Sequence, residues 1–317
     1  MGIFFGNKKI KIRLKHTFAI LMATLFCFFM LIYPEASIIS ARKGINIWIN
    51  NILPVMFPFF ICANFMNNLG VTSYLKPGAF AFSMSILSGY PMGAKILGDM
   101  CRKGIVDEKE CKSLMSFCTT SGPAFLLGTI GTSMIGNHIC GLVIMIAHYI
   151  GAIINGFIFS FAVGREPRNR GLKNKKVYEK QYYDDILEAL TNAIGTSFKS
   201  MGVIMAYVIM FMMLTDALQM IGLFDFIKNP LYLGMTKGML EMTIGCAILS
   251  GNVAISMLEQ TIGCCMLVSF GGLSIIGQSM SMLSGTNISI FYLLLVKIFH
   301  GLIAGVIAYL LMVCFFV

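Results

Sequence analysis

Charged residues are scarce in this sequence, since Asp, Glu, Lys and Arg make up only 12% of its 317 residues. Apolar residues account for 57%, and the mean hydropathy is +0.81. Soluble domains carry about 25% charged residues, so this composition excludes an ordinary soluble globular protein. It predicts an all-α polytopic membrane protein, because helices satisfy their own backbone hydrogen bonds within lipid.

Several catalytic and metal-binding signatures are also missing. The ten cysteines form no CxxC pair, and no HExxH run is present, so a zinc site is not expected. The sequence contains no P-loop, no dinucleotide fingerprint and no convincing Ser/His/Asp or Cys/His arrangement. We therefore expect a protein that is not an enzyme and that needs no cofactor.

The basic residues are concentrated in two places, although the formal net charge is +10. One group lies between Lys8 and Lys15, just before the apolar run Phe18–Tyr33. The other lies in the hydrophilic stretch 164–185. Such a distribution is typical of topology signals and not of a nucleic-acid-binding surface. We expect an uncleaved first helix with its N-terminus in the cytoplasm.

Two stretches of about four apolar segments each match one another across the basic linker. Gly70, Lys76, Gly93 and His148 each have an identical residue 152 positions later. This spacing predicts a duplicated membrane unit. The predicted divisions are a leader and first helix (1–44), a first repeat (45–163), a cytoplasmic linker (164–196) and a second repeat (197–317).

Charge bias also predicts how the two repeats are oriented. The loop 101–112 is rich in lysine and arginine, whereas the corresponding stretch 252–261 has neither. If basic loops are cytoplasmic, segments 79–100 and 231–251 enter and leave the membrane on one side, and the two repeats are inverted. Inverted repeats with broken or re-entrant helices are an architecture of transporters.

Glycine and proline interrupt the apolar segments at places that also carry polar groups. In the run Ser88–Lys95 (SGYPMGAK), freed backbone amides and Lys95 could face an anionic substrate. Alternatively, the run only kinks a packed helix, and Lys95 reaches toward the cytoplasmic surface. The run Cys118–Phe125 (CTTSGPAF) is a second break, whose hydroxyl groups could replace lost backbone hydrogen bonds or bind substrate.

The second repeat carries the counterparts of these breaks. Glu241 lies in an apolar segment, where an ionised carboxylate must be paired, hydrated or protonated. It is a candidate proton-coupling group, a candidate partner for Lys95, or an interfacial residue. The glycine-rich run 271–278 holds Ser274 and Gln278 as polar groups.

These motifs, in this order, resemble those of the YlbJ-type sporulation integral membrane proteins of the Gate, or nucleoside-recognition, superfamily. The resemblance rests on SGYPMGAK, SFCTTSGPAFLLGTIG, AHYIGAIINGF, EMTIG and SFGGLSIIGQ, and it extends from about residue 46 to the last helix. It implies a fold like that of concentrative nucleoside transporters, with paired re-entrant hairpins. The expected substrate-binding residues are Gly89, Tyr90, Pro91, Gly93, Lys95, Thr120, Ser121, Glu241, Thr243, Ser274 and Gln278.

The resemblance further implies a protein of the membrane around the forespore that transports dipicolinate, a small dianion. Two other functions stay open: a carrier of nucleosides or nucleobases, and a membrane protein that holds a sporulation complex together without transport. The family pattern near residue 120 has asparagines where this chain reads CTTSGP, which leaves room for another cargo. The oligomeric state is open as well.

Overall fold

A computed structural model describes residues 17, 20–21, 23–24, 26–71, 76–164 and 185–316. Residues 1–16 of the predicted leader and residues 165–184 of the predicted linker lie outside the described residues. Every regular element within the described ranges is a helix, which confirms the predicted all-α class.

The helices of the described residues fall into two series with the same order. Apart from one additional helix at the start of the first series, each series has a helix that is followed by two short helices, by a second broken pair, and by one long helix. The first series comprises α1 (Pro34–Ile47), α2 (Leu53–Asn68), α3 (Pro77–Ser88), α4 (Met92–Arg102), α5 (Glu108–Cys118) and α6 (His138–Val163), with π-helical segments at Trp48–Ile52 and Phe125–Ile135. The second comprises α7 (Ile186–Met220), α8 (Pro230–Leu240), α9 (Met242–Ser250), α10 (Met257–Phe270), α11 (Gly272–Met282) and α12 (Ile290–Phe316).

Four helical stretches of the described chain are long and apolar enough to cross a membrane. They are His138–Val163, Ile186–Met220, Met257–Met282 and Ile290–Cys314. The predicted segments 45–68 and 113–136 are not continuous α-helices. The first contains a π-helical turn before α2, and the second is interrupted at 119–122.

Local sequence explains where the helices begin. Proline occupies the first position of both α3 and α8, where its missing N–H has no intrahelical partner in any case. The side chain of Asn137 accepts hydrogen bonds from the N–H groups of Ile139 and Cys140 at the start of α6. The Asn229 side chain accepts one from Leu231 at the start of α8.

The two long final helices, α6 and α12, pack against each other and join the two series. Their contact includes a hydrogen bond between His300 Nε2 and the carbonyl oxygen of His148, at 2.9 Å. Buried apolar residues form one cluster around α3, α4, α5 and α7, and another around α6, α9, α10 and α12. The inversion of one series relative to the other stays a prediction.

Candidate functional site

The helix breaks of the two series meet at a cavity of about 40 Å³. Six of the predicted substrate-binding residues line it: Gly89, Tyr90, Ser121, Glu241, Thr243 and Gln278. Five of them lie at or next to three helix breaks that are far apart in the sequence, and Gln278 lies within α11. The rest of the lining is mainly apolar and includes Met56, Phe125, Ile204 and Val208.

The two breaks of the first series touch through glycine. Gly89 has φ +75°, and a Cβ added to it would lie 2.6 Å from the backbone nitrogen of Gly122. A Cβ on Gly93 would lie 1.8 Å from the carbonyl oxygen of Cys118. Only glycine fits at either position, because the neighbouring atoms belong to the backbone. These two glycines therefore bring the start of α4 against the segment that follows α5.

The second series has a comparable contact. Gly272 has φ +75°, and its added Cβ would lie 3.1 to 3.2 Å from backbone atoms of Gly238, Leu240 and Met242. The break between α10 and α11 thus lies against the break between α8 and α9. As a result, α4, α9 and α11 all begin close to the cavity.

Glu241 separates α8 from α9 and caps the N-terminus of α9. Its Oε2 accepts hydrogen bonds from the backbone N–H groups of Thr243 (2.8 Å) and Ile244 (3.0 Å), and a short one from the Thr243 hydroxyl. A carboxylate is stabilised at this end of a helix by the free amides and the helix dipole. Its Oε1 accepts no hydrogen bond within the described residues, although the side chain is only 2% exposed. The structure therefore leaves one Glu241 oxygen available on the cavity lining.

Gln278 provides a second polar group without a complete set of partners. Its Nε2 donates to Ser274 Oγ at 3.2 Å, whereas its Oε1 is buried and has no partner among the described side chains and backbone. Because Ser274 itself is fully buried, it contributes through Gln278 and does not line the cavity. An unpartnered buried amide oxygen at a cavity is a position for a ligand donor or a water.

Lys95 lies away from the cavity lining. Its Nζ donates to Asn64 Oδ1 at 2.5 Å, and Asn64 Nδ2 donates to Ser197 Oγ at 2.8 Å. This chain of contacts fixes α4 against α2 and α7. Neither ion pair in the described part of the chain, Lys43 with Asp216 or Arg102 with Asp99, joins Lys95 to Glu241. The predicted pairing of Lys95 with Glu241 is therefore not present in this structure.

Two other predicted residues contribute to the shape of the first break. Pro91 follows a cis peptide bond with Tyr90 and immediately precedes α4. The Thr120 hydroxyl lies 2.9 Å from Ser85 Oγ, which also donates a short hydrogen bond to the carbonyl oxygen of Cys118. Thr120 therefore ties the second break to α3 and does not face the cavity.

The sequence reasoning missed Lys297, which is only 1% exposed and lies behind Tyr90 as seen from the cavity. Its Nζ makes a short hydrogen bond with the Tyr90 hydroxyl and donates to the carbonyl oxygen of Thr119 at 3.0 Å. The Nζ also lies 4.4 Å from the centre of the Tyr90 ring. The sequence did contain a signal for this residue, namely a lysine within the long apolar segment that forms α12. Ionisable residues at membrane depth often mark functional sites.

Side chains of α6 satisfy the backbone of the second break. The N–H of Ser121 donates to His148 Nε2 at 2.9 Å, and the Tyr149 hydroxyl donates to the carbonyl oxygen of Ser121 at 3.0 Å. Asn155 Nδ2 donates to the carbonyl oxygen of Ser116, near the end of α5 before the break, at 3.4 Å. Unwound backbone inside a membrane protein needs such replacement partners. These polar residues thus hold the break in a fixed shape.

Comparison with known proteins finds a similar membrane protein. The chain is 25% identical to the sporulation integral membrane protein YlbJ of Bacillus subtilis (strain 168) over 338 aligned positions, which cover 92% of this chain and 82% of that protein. The predicted YlbJ-type resemblance is confirmed. No protein-family model matches the chain, and no solved structure matches it significantly. Membership of the Gate superfamily stays a prediction.

The YlbJ match and the four apolar helices together identify an integral membrane protein that contacts lipid. The apolar outer surfaces of the long helices agree with this, since Phe161, Leu302 and Val306 are all more than half exposed. The particular membrane and the cytoplasmic location of the N-terminus stay predictions.

Proposed function

We propose that this protein carries a small anionic metabolite across a membrane during sporulation, and that dipicolinate is the favoured substrate. The observation that carries this proposal is the convergence of three helix breaks and of α11 on one cavity. Broken helices that meet inside a membrane protein are how many secondary transporters build a substrate site.

The chemistry of the cavity favours an anion with polar oxygen or nitrogen atoms. Helices α4 and α11 begin beside it, and helix N-termini attract negative charge through their free amides and dipole. Thr243 and Gln278 add a hydroxyl and an amide to the lining. The mainly apolar remainder suits the ring of an aromatic acid.

The cavity is too small for the proposed substrate in this state. Its volume of about 40 Å³ holds roughly three waters, since about 10–15 Å³ is enough for one. An aromatic dicarboxylate needs a site several times larger. Transport therefore requires the short helices to move apart. Because they meet through backbone contacts at glycine, they can separate while the long helices stay intact.

Glu241 is the candidate coupling group for this transport. A dianion that enters the cavity meets the free oxygen of Glu241, and like charges in a low-dielectric site repel strongly. Protonation of Glu241 removes that repulsion. The proposal therefore includes uptake of a proton together with the substrate.

A second candidate function is a nucleoside or nucleobase carrier. The amide of Gln278, the hydroxyl of Thr243 and the aromatic ring of Tyr90 are groups that bind a base or a sugar by hydrogen bonding and stacking. A protein that only holds a complex together ranks last, because its loops within the described ranges are short and offer little partner surface.

The test is uptake into proteoliposomes that contain the purified protein, with labelled dipicolinate and labelled uridine measured in parallel. We expect saturable dipicolinate uptake that excess unlabelled dipicolinate suppresses. Uptake of uridine alone would establish the nucleoside carrier instead. If folded protein moved neither compound, dipicolinate transport would be refuted, and the structural role would become the leading hypothesis.

A further inference from the structure

We propose that Lys297 gives the cavity its selectivity for anions, by supplying the positive charge that a substrate carboxylate pairs with. The inference rests on the proposed transport function and extends it to one residue. Sequence reasoning assigned this role to Lys95, whereas the geometry points to Lys297.

The first observation is that Lys297 is buried without a counter-charge. Its side chain is 1% exposed. The two ion pairs found in the described residues involve other cations, Lys43 and Arg102, so no carboxylate of the described chain lies within 4.0 Å of Lys297 Nζ. A buried charge is costly unless it is paired, so an anion that reached Lys297 would stabilise its charged form.

The second observation is the protonation pattern around Lys297. His300 Nε2 lies 2.9 Å from the carbonyl oxygen of His148. Because a carbonyl oxygen only accepts hydrogen bonds, His300 carries its proton on Nε2. Its Nδ1, 3.4 Å from Lys297 Nζ, therefore bears a lone pair. The three donors of the ammonium group face His300 Nδ1, the Tyr90 hydroxyl and the Thr119 carbonyl oxygen, all of them uncharged.

His148 is fixed as neutral by the same reasoning. The backbone N–H of Ser121 donates to His148 Nε2 at 2.9 Å, so that nitrogen bears no proton. His148 Nδ1 then donates to Ser269 Oγ at 2.8 Å. A second proton on either histidine would face another donor. Both histidines are therefore neutral partners, which leaves Lys297 as the group of this buried cluster that can carry a positive charge.

The third observation is the position of Tyr90, which lines the cavity and also contacts Lys297. Its phenol ring separates the lysine from the cavity. Once the cavity widens, a substrate carboxylate that takes the place of the Tyr90 hydroxyl reaches Lys297 directly. Lys95 lacks such a route, since its Nζ is bonded to Asn64 away from the cavity lining.

The experiment compares binding of two ligands of the same shape and different charge. The ligands are dipicolinate, a dianion at neutral pH, and pyridine-2,6-dicarboxamide, which is uncharged. Purified wild-type protein is compared with Lys297→Gln, which keeps N–H donors near Thr119 and Tyr90 but removes the charge. Lys95→Gln is the matched control, because it neutralises a buried lysine outside the cavity.

We expect the wild type and Lys95→Gln to prefer dipicolinate over the diamide. In Lys297→Gln, dipicolinate affinity should fall about 100-fold, as for the loss of one charge-assisted pair, with diamide affinity unchanged. A purely structural role would weaken both ligands equally and would overturn the inference. Unchanged dipicolinate affinity in Lys297→Gln would also overturn it, while leaving the transport function intact.

The wild-type protein alone provides a further arm in case Lys297→Gln does not fold. Equal binding of dipicolinate and the diamide by the wild type would show that the site has no charge selectivity, and the assignment of Lys297 would fail. Dipicolinate uptake by the wild type is measured separately. Absent uptake despite charge-selective binding would refute the transport function and keep Lys297 as the anion-binding residue.

Discussion

Replacement of Gly89 by alanine tests whether the contact between two helix breaks supports the site. Gly89 has φ +75° and ψ −167°, a conformation that is essentially restricted to glycine. A Cβ there would also lie 2.6 Å from the Gly122 nitrogen, so the two breaks must separate. Gly136 is the matched control, because it has φ +74° and no atom of the described chain lies within 4 Å of an added Cβ.

The expected free-energy changes differ between these two positions. Gly136→Ala changes only the backbone conformational energy, about 1–2 kcal/mol for a left-handed residue. Gly89→Ala adds the overlap with Gly122, for a total of about 4 kcal/mol. At roughly 2 °C per kcal/mol, the melting temperature should fall by about 8 °C for Gly89→Ala and about 3 °C for Gly136→Ala.

The assay is thermal unfolding of the purified variants in detergent, followed by dipicolinate uptake of each variant in proteoliposomes. Gly128→Ala serves as a second control, since an added Cβ there has open space within the described structure and no positive φ. We expect its stability and uptake to be unchanged. If Gly89→Ala proved no more harmful than Gly136→Ala, the close contact between the breaks would not support the site.

Two further substitutions test individual groups at the site. Glu241→Gln keeps an oxygen that can cap α9 but removes the ionisable group, so dipicolinate uptake should lose its response to an inward proton gradient. The control variant Glu259→Gln, at an exposed capping position, should keep that response. An unchanged response in Glu241→Gln would exclude Glu241 as the coupling group. Tyr149→Phe leaves the Ser121 carbonyl oxygen without its donor and should lower the free energy of unfolding by about 1–3 kcal/mol. The control variant Tyr232→Phe, at an exposed position, should change the melting temperature little. Equal melting temperatures of the two variants would contradict the role assigned to Tyr149.

The positions of the helix breaks could be predicted from the sequence because they depend on local chemistry. Glycine and proline at 89–91, 122–123 and 271–272 interrupt apolar runs, and each of these positions is a break in the structure. The polar residues near these breaks were also identifiable, and five of them line the cavity together with Gly89. In contrast, nothing in the local sequence of 125–135 indicates that it forms a π-helix.

The roles of the two buried lysines could not be predicted, because they depend on long-range packing. Lys95 follows the first break by only a few residues, so the sequence favours it as a site residue. The structure turns its side chain toward α2 instead. Lys297 reaches Tyr90 across 207 residues of sequence, which requires α12 to pack against α6. Spacing along the chain carries no information about such a contact.

Glu241 and Lys297 have complementary chemistry, and each lacks an oppositely charged partner in the described structure. A negative and a positive group that paired directly would neutralise each other and leave no attraction for a ligand. Held apart, Lys297 keeps its attraction for a carboxylate, and Glu241 opposes that carboxylate until it is protonated. Separation of the two groups by Tyr90 and the cavity is therefore what would allow one site to bind an anion and couple its movement to a proton.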